Sequence, residues 1–243
     1  MTVEEFNIDK GLYVFEFEGF ETEFHSHPAI EVVIAKNGDF SLWTDTETHE
    51  NLKFAVVSAN QRHKLSSTNC ALKIIMIEHH NRLVIDHLKL ADIDLSNGYF
   101  IQSEPYNEAI QIDNLVQIIR SGKELTEYDF RISKAIEYLD QNDLEYDSMI
   151  KTLRAVTKLS ESRLSHLFKS NIGISLKKYL IWSRLKSTIK NHLDSEEGLF
   201  SALIKSGFYD QPHFSKSFKS MLGVKPSRAY NSRSLQVLSK SGL

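Results

Sequence analysis

The second half of the chain repeats itself at an offset of 50 residues, and no other feature limits its fold so strongly. Residues 164–174 read LSHLFKSNIGI and residues 214–224 read FSKSFKSMLGV. Five of the eleven positions are identical: Ser165/Ser215, Phe168/Phe218, Lys169/Lys219, Ser170/Ser220 and Gly173/Gly223. Leu164/Phe214, Ile172/Leu222 and Ile174/Val224 keep their apolar character. Each copy is preceded by a residue whose side chain can cap a helix N-terminus, Ser160 and Asp210. Each closes on a glycine suited to the left-handed conformation that ends helices. A fold that accommodates this chain must therefore contain the same short helix twice.

What precedes each copy extends the pattern. SMIKTLRAVTK reads as a helix, then a short turn, then the helix beginning after Ser160. GLFSALIKS is followed by Gly207-Phe208-Tyr209 and the helix after Asp210. This is a doubled helix-turn-helix, at about 147–170 and 197–221. One side of each second helix is apolar (Leu164, Leu167, Phe168; Phe214, Phe218). The other presents Ser162, Arg163, Ser165, His166 and Lys169, and then Gln211, His213, Ser215, Lys216 and Lys219. Short polar and cationic side chains on a helix flank are what reading base edges and holding phosphates requires. Between the copies runs LKKYLIWSRLKSTIKNHL, roughly 27 Å long as a helix at 1.5 Å per residue, enough to hold two reading helices about one DNA turn apart. With RISKAIEYLDQN ahead of them, these segments make six helices in a compact all-α domain.

Charge separates this half from the rest. Residues 1–128 hold 10 Lys+Arg against 21 Asp+Glu, a net −11; residues 129–243 hold 19 against 11, a net +8. From Met149 onward the count is 17 against 5, a net +12. A basic part that meets a polyanion, joined to an acidic part that does not, accounts for the split. The single cysteine, Cys70, excludes a disulfide framework and a multi-cysteine zinc site. No apolar run approaches the ~18 residues of a membrane helix, and the acidic start MTVEEFNIDK is not a secretory signal, so a cytoplasmic location is expected.

The strings LSESRLSHLFKSNIGIS, WSRLKSTIKNHL and SGFYDQPHFSKSFKSMLGVKPSRAY resemble the C-terminal domain of AraC/XylS-type transcription regulators over about residues 130–230. The resemblance implies that the helices at 160–170 and 210–221 enter adjacent major grooves. By position it makes Ser162, Ser165 and His166, then Gln211, Pro212, Ser215 and Lys216, the base-facing residues. Three positions depart from the pattern. Arg154 stands where the family has a small residue, with Ala155 beside it. Leu203 stands at the equivalent place in the second unit, beside Ala202. Pro212 offers no donor, only an apolar contact such as to a thymine methyl.

The acidic half reads as strands over residues 12–78: LYVFEFEGF, AIEVVIAKNGDFSLWTD, KFAVVSAN and CALKIIMIE. Asn37-Gly38 is a hairpin signal. Trp43, Phe40 and Phe54 are assigned to the core, and His49, His79, His80 and His87 to the surface. Gly19, His25-Ser26-His27, Glu31 and Gly38 form G-x5-H-x-H-x3-E-x6-G, which resembles the first motif of cupin sensor and enzyme domains. In a strand His25 and His27 point to one face. The second cupin motif is degraded: Ser58 and Asn60 replace its Pro and Gly, while His63 keeps the ligand position. Imidazoles and a carboxylate suit Zn, Fe, Mn or Ni. The lost turn is expected to displace His63, so no metal and no cofactor is assigned. His25, His27, Glu31 and His63 are expected to line a pocket for a small-molecule effector.

These readings give an α+β chain of two domains: an antiparallel β cupin-like barrel or sandwich at 1–104, a helix and linker at 105–128, and an all-α AraC-type DNA-binding domain at 129–233. EAIQIDNLVQIIRSG carries an Ile112/Leu115/Ile119 stripe, which packs either on a second copy, giving a homodimer, or on its own sheet. Gly122 is its stop, and SGKELTEYD marks the boundary. The expected function is effector-responsive, sequence-specific regulation of transcription by binding double-stranded DNA. No nucleophile-and-base pair or Gly-rich phosphate loop emerges, so no enzymatic activity is expected, nor a membrane partner. The alternative is a metal-dependent cupin enzyme with an appended helical domain.

Overall fold

The computed structural model describes residues 2–78, 82–104, 109–121, 129–142, 146–194 and 198–227. Gly122, most of the SGKELTEYD boundary, His79 and His80 lie outside them. The chain forms two compact units, one centred on a sheet and one on helices.

The sheet has eight antiparallel strands: β1 (Thr2–Asn7), β2 (Leu12–Glu21), β3 (Ala29–Ala35), β4 (Phe40–Thr44), β5 (Thr48–Leu52), β6 (Phe54–Val57), β7 (His63–Glu78) and β8 (Tyr99–Gln102). Their order is β1-β2-β7-β3-β6-β8, and β4 pairs both β5 and β7. The sheet forks on β7. Its later half, Leu72–Glu78, pairs with β3, and its first residues, His63–Ser66, pair with β4. β2 runs along its other edge over both halves.

This corrects the hairpin expected at Asn37-Gly38. The turn is real, with Gly38 at φ 64. The strands it joins, however, pair with different stretches of β7 and not with each other. Contacts to β7 hold the turn there: Asn37 Oδ1 accepts from Ala71 N at 2.7 Å, and Lys36 N donates to Ala71 O. Ladder pairing also converts segments that propensity left as loops. HKLSSTN becomes the first part of β7, and THENL becomes β5 by pairing with β4. β1, β8 and a helix α1 (Arg82–Leu90) were not expected either. Cys70 lies within β7, buried, and burial raises its thiol pKa.

Period-2 alternation gives the sheet two buried faces. On one, Leu12, Val14, Ile30, Val32, Phe54, Val56, Ile75 and Ile77 join Val84 and Leu88 of α1. Helix α2 (Ala109–Arg120) completes that core with Ile112, Leu115, Val116 and Ile119. The stripe on α2 is thus buried against its own sheet, the second of its two options. Glu31, between Ile30 and Val32, points to the opposite face. Phe40 and Phe54 are buried as expected, whereas Trp43 is half-exposed with the Lys64 ammonium 5.0 Å from its ring centroid.

The helices that follow are α3 (Phe130–Gln141), α4 (Tyr146–Thr157), α5 (Glu161–Ile172), α6 (Leu176–Asp194), α7 (Leu199–Lys205) and α8 (Gln211–Leu222). All six expected segments are present within two residues at each end. Ile132, Ala135 and Leu139 of α3 pack with Met149, Ile150 and Leu153 of α4, Leu164, Phe168 and Ile172 of α5, and Leu176, Tyr179 and Leu180 of α6. Farther along, α6 packs against α7, and Asn191 Nδ2 donates to Ser206 Oγ at 3.1 Å. Among the described residues no helix is long and apolar enough to cross a membrane.

Candidate functional site

The sequence repeat reappears as repeated cap geometry. Ser160 Oγ accepts from Arg163 N at 3.3 Å, and Asp210 Oδ1 accepts from His213 N at 2.7 Å. At the other ends Gly173 N donates to Lys169 O and Gly223 N to Lys219 O, both at 2.9 Å. Those glycines have φ 78 and φ 70. Equivalent caps fix where α5 and α8 begin and end, and so which residues each turns outward.

The faces divide as their periodicity requires. Leu164, Phe168, Phe214 and Phe218 are buried. Ser162, Arg163, His166 and Lys169 are exposed on α5, and Gln211, Pro212, His213 and Lys216 on α8; Ser165, Ser215 and Lys219 are half-buried at the margins. His213 is partly held, its ring 5.4 Å edge-on from that of Phe208, which also meets Phe214 at 5.2 Å. Tyr209, an aromatic in the polar turn beside the cap Asp210, is 87% exposed.

The departures near the turns have a structural resolution. Arg154 and Ala155 are exposed, so Arg154 does not intrude between α4 and α5; Leu153 and Thr157 face inward instead. In the second unit Ala202 and Leu203 are both buried. The turns themselves differ. Three residues separate α4 from α5, with Lys158 at φ 56, and five separate α7 from α8, with Gly207 at φ 78.

In the sheet unit the structure brings together all four residues that the cupin resemblance marks. His25, His27, Glu31 and His63 are buried at 5%, 2%, 3% and 0% exposure, with one ligand atom from each lying within 4.8 Å of all the others. Glu31 Oε2 is 2.9 Å from both His27 Nε2 and His63 Nε2. Each Nδ1 faces a main-chain carbonyl: His25 that of Glu23 at 2.9 Å, His27 that of Ala29 at 3.0 Å, and His63 that of Gln61 at 2.9 Å. Backbone bonds between His25 and His63 run both ways, at 2.9 and 3.0 Å. Burial, then the His63 and His27 charges, push the His25 pKa down to about 3. Burial works to raise the Glu31 pKa, but its contacts with His27 and His63 outweigh that and hold it well below the carboxylate range.

His63 is therefore in register, and Asn60 explains how. It adopts φ 64, the conformation a glycine would supply, and its N donates to His27 O at 2.7 Å. Asparagine is among the few side chains that tolerate this region. The other histidines have no such setting: His49 and His87 are half-buried away from the cluster.

Comparison with known proteins agrees with this architecture. A helix-turn-helix domain family matches residues 153–232. The arabinose operon regulatory protein of Escherichia coli (strain K12) is 30% identical over 129 residues, 50% of this chain. The chain spans 44% of that relative's length. ToxT from Vibrio cholerae aligns over 90% of this chain and 96% of its own, with a TM-score of 0.56 at 16% identity. A second ToxT structure, bound to an unsaturated fatty acid, covers 90% and 93% with a TM-score of 0.53 at 15% identity. The shared fold is an antiparallel sheet region followed by a helical domain.

Proposed function

We propose that the protein is a sequence-specific, DNA-binding transcription regulator of the AraC/XylS type, with its helix-turn-helix domain over residues 153–232 and a sheet domain that receives a chemical signal. The observation that carries the reading is the pair of equivalently capped helices, α5 and α8, each turning a polar, cationic face outward. Ser162, Ser165 and His166 of α5, with Gln211, Pro212, Ser215 and Lys216 of α8, contact base edges. Arg163, Lys169 and Lys219 hold phosphates, and His213 and the exposed Tyr209 add contacts at the start of α8. Duplex DNA is the macromolecular partner, which puts the protein in the cytoplasm of a bacterial-type cell.

In this reading residues 1–104 sense, 105–128 lead from one domain to the other with α2 packed into the sheet core, and 129–233 bind DNA. Because α2 is committed to the sheet core, its stripe supplies no dimer face. A homodimer would use another surface. A signal acts on such a protein only through unequal affinity for two of its states. A fatty acid occupies one ToxT structure, and a small ligand in the sheet domain is the corresponding reading here. No catalytic role is assigned, since an enzyme needs neither the repeat nor the charge split.

The test is selection of genomic duplex fragments by the full-length protein, followed by mobility shifts on the enriched fragment. Retention of one or a few fragments at physiological salt is expected. Failure to retain any fragment, with or without divalent metal ions and small carboxylates, refutes the function.

A further inference from the structure

Resting on the regulator reading, we infer that Glu161 reads a cytosine in the half of the operator that α5 enters, while Gln211 at the equivalent place on α8 reads an adenine. The repeat carries the argument. An offset of 50 residues pairs Glu161 with Gln211. Ser160 caps α5 and Asp210 caps α8, so each of the two is the first residue of its helix. Both are exposed, and neither takes part in a hydrogen bond or ion pair among the described residues. The two side chains have nearly the same size and shape. They differ in one respect: a carboxylate only accepts hydrogen bonds, whereas a carboxamide donates and accepts. N-terminal residues of a helix lying in the major groove are the ones that meet base edges.

Glu161 is the only acidic residue of α5, and α8 has none. Negative charge at a helix start is favoured by the helix dipole. On α8 that charge belongs to the cap Asp210, whose oxygen is bound to the His213 N–H. On α5 the cap is the neutral Ser160, and the carboxylate of Glu161 is left unbound and outward. What it can meet is set by the groove. G presents two acceptors and T an acceptor and a methyl group, so both repel a carboxylate. A presents a donor, but between its own N7 and the O4 of the paired T. C presents the N4 donor with an acceptor on one side only, the O6 of the paired G. C·G is therefore the pair that Glu161 favours. The carboxamide of Gln211 instead matches the donor and acceptor of A through two bonds. Ser165 and Ser215, identical in the two copies, add no such difference. The two half-sites thus differ at one defined position.

The experiment is selection from a pool of random duplexes by the full-length wild type, Glu161→Gln and Gln211→Glu, each first checked by its melting curve. The wild type should enrich one site. Glu161→Gln should enrich that site with a single C·G replaced by A·T, and Gln211→Glu the same site with a different A·T replaced by C·G. Should Glu161→Gln not fold, Glu161→Ala should lose the preference at that C·G pair and gain no other. A chemical probe then tests the contact on the wild-type duplex. N4-methylcytosine at the assigned position keeps the pairing proton and puts a methyl group where the groove donor was. It should weaken wild-type binding by about 5-fold or more, the worth of one good base contact, and weaken Glu161→Gln less. Enrichment of the unchanged wild-type site by Glu161→Gln overturns the inference. So does tighter binding of Glu161→Gln to all duplexes alike, which would make Glu161 a source of repulsion only. No enriched site for the wild type refutes the regulator reading itself, and the inference with it.

Discussion

Salt dependence measures the proposed interface most directly. Take Arg163, Lys169 and Lys219 as the three phosphate contacts of the reading helices. Each releases counterions, so affinity falls with salt with a logarithmic slope of about −2.7, or about 40-fold between 50 and 200 mM. Removing one cation by Lys169→Ala leaves two contacts, a slope of about −1.8 and about a 12-fold fall over the same range. Lys169 is exposed and its main-chain carbonyl closes the α5 cap, so the helix keeps its ends in the variant. The assay is fluorescence anisotropy of a labelled duplex carrying the selected site, at five salt concentrations. Lys216→Ala, on the base-facing side, should instead relax sequence preference in one half-site with a smaller change in slope. A wild-type slope shallower than −1 would remove the electrostatic basis of the interface. An unchanged slope in Lys169→Ala would refute the assignment of that residue to phosphate.

Two further outcomes test the parts separately. Gly173→Ala places a β-carbon at φ 78 and should destabilise the helical domain by about 1 kcal/mol, lowering its melting midpoint by several degrees; a melting curve like the wild type's would show that the cap relaxes at no cost. For pH, the buried His25 stays neutral down to about 3, whereas the unfolded ring takes up a proton near 6.5. The unfolded state therefore binds more protons across that window, and stability present above pH 6.5 is lost as pH falls toward 3. At pH 5 the loss is about 2 kcal/mol, at 1.36 kcal/mol per unit. Melting in chelator between pH 7.5 and 5 should show it, and a His25→Gln variant with the same slope would assign it elsewhere.

The helical half was legible because its information is local. Caps, glycines and the 3.6-residue period all sit within one turn of what they control, and the repeat supplied an internal check at 160/210 and 173/223. The sheet was legible only where propensity and pairing agree. THENL and HKLSSTN carry few apolar residues and are strands because β4 and β2 bring their own hydrogen-bonding edges alongside. That pairing spans up to 47 residues, as between Phe20 and Ser67, and no window of sequence contains it. The four buried site residues were legible through their resemblance to the cupin motifs. Their state was not, because it depends on carbonyls of Glu23, Ala29 and Gln61 that carry no sequence signature.

Asn60 is where sequence expectation and structure diverge most usefully, and it gives the sharpest test of how the site is held. A motif lacking its glycine reads as a lost turn. Asparagine at φ 64 keeps the turn, and the Asn60 N–H bond to His27 O ties it to the strand entry that carries His25 and His27. One residue on, the Gln61 carbonyl receives His63 Nδ1. A β-branched residue at position 60 should cost roughly 1–3 kcal/mol of strain or abandon the left-handed conformation. Asn60→Val should therefore lower stability by about that amount, while Asn60→Gly, free of strain at this φ, should stay near wild type. The measurement is thermal melting of the two variants beside the wild type. If Asn60→Val melts as the wild type does, then the bonds between the His25 and His63 backbones hold His63 in place and the turn does not.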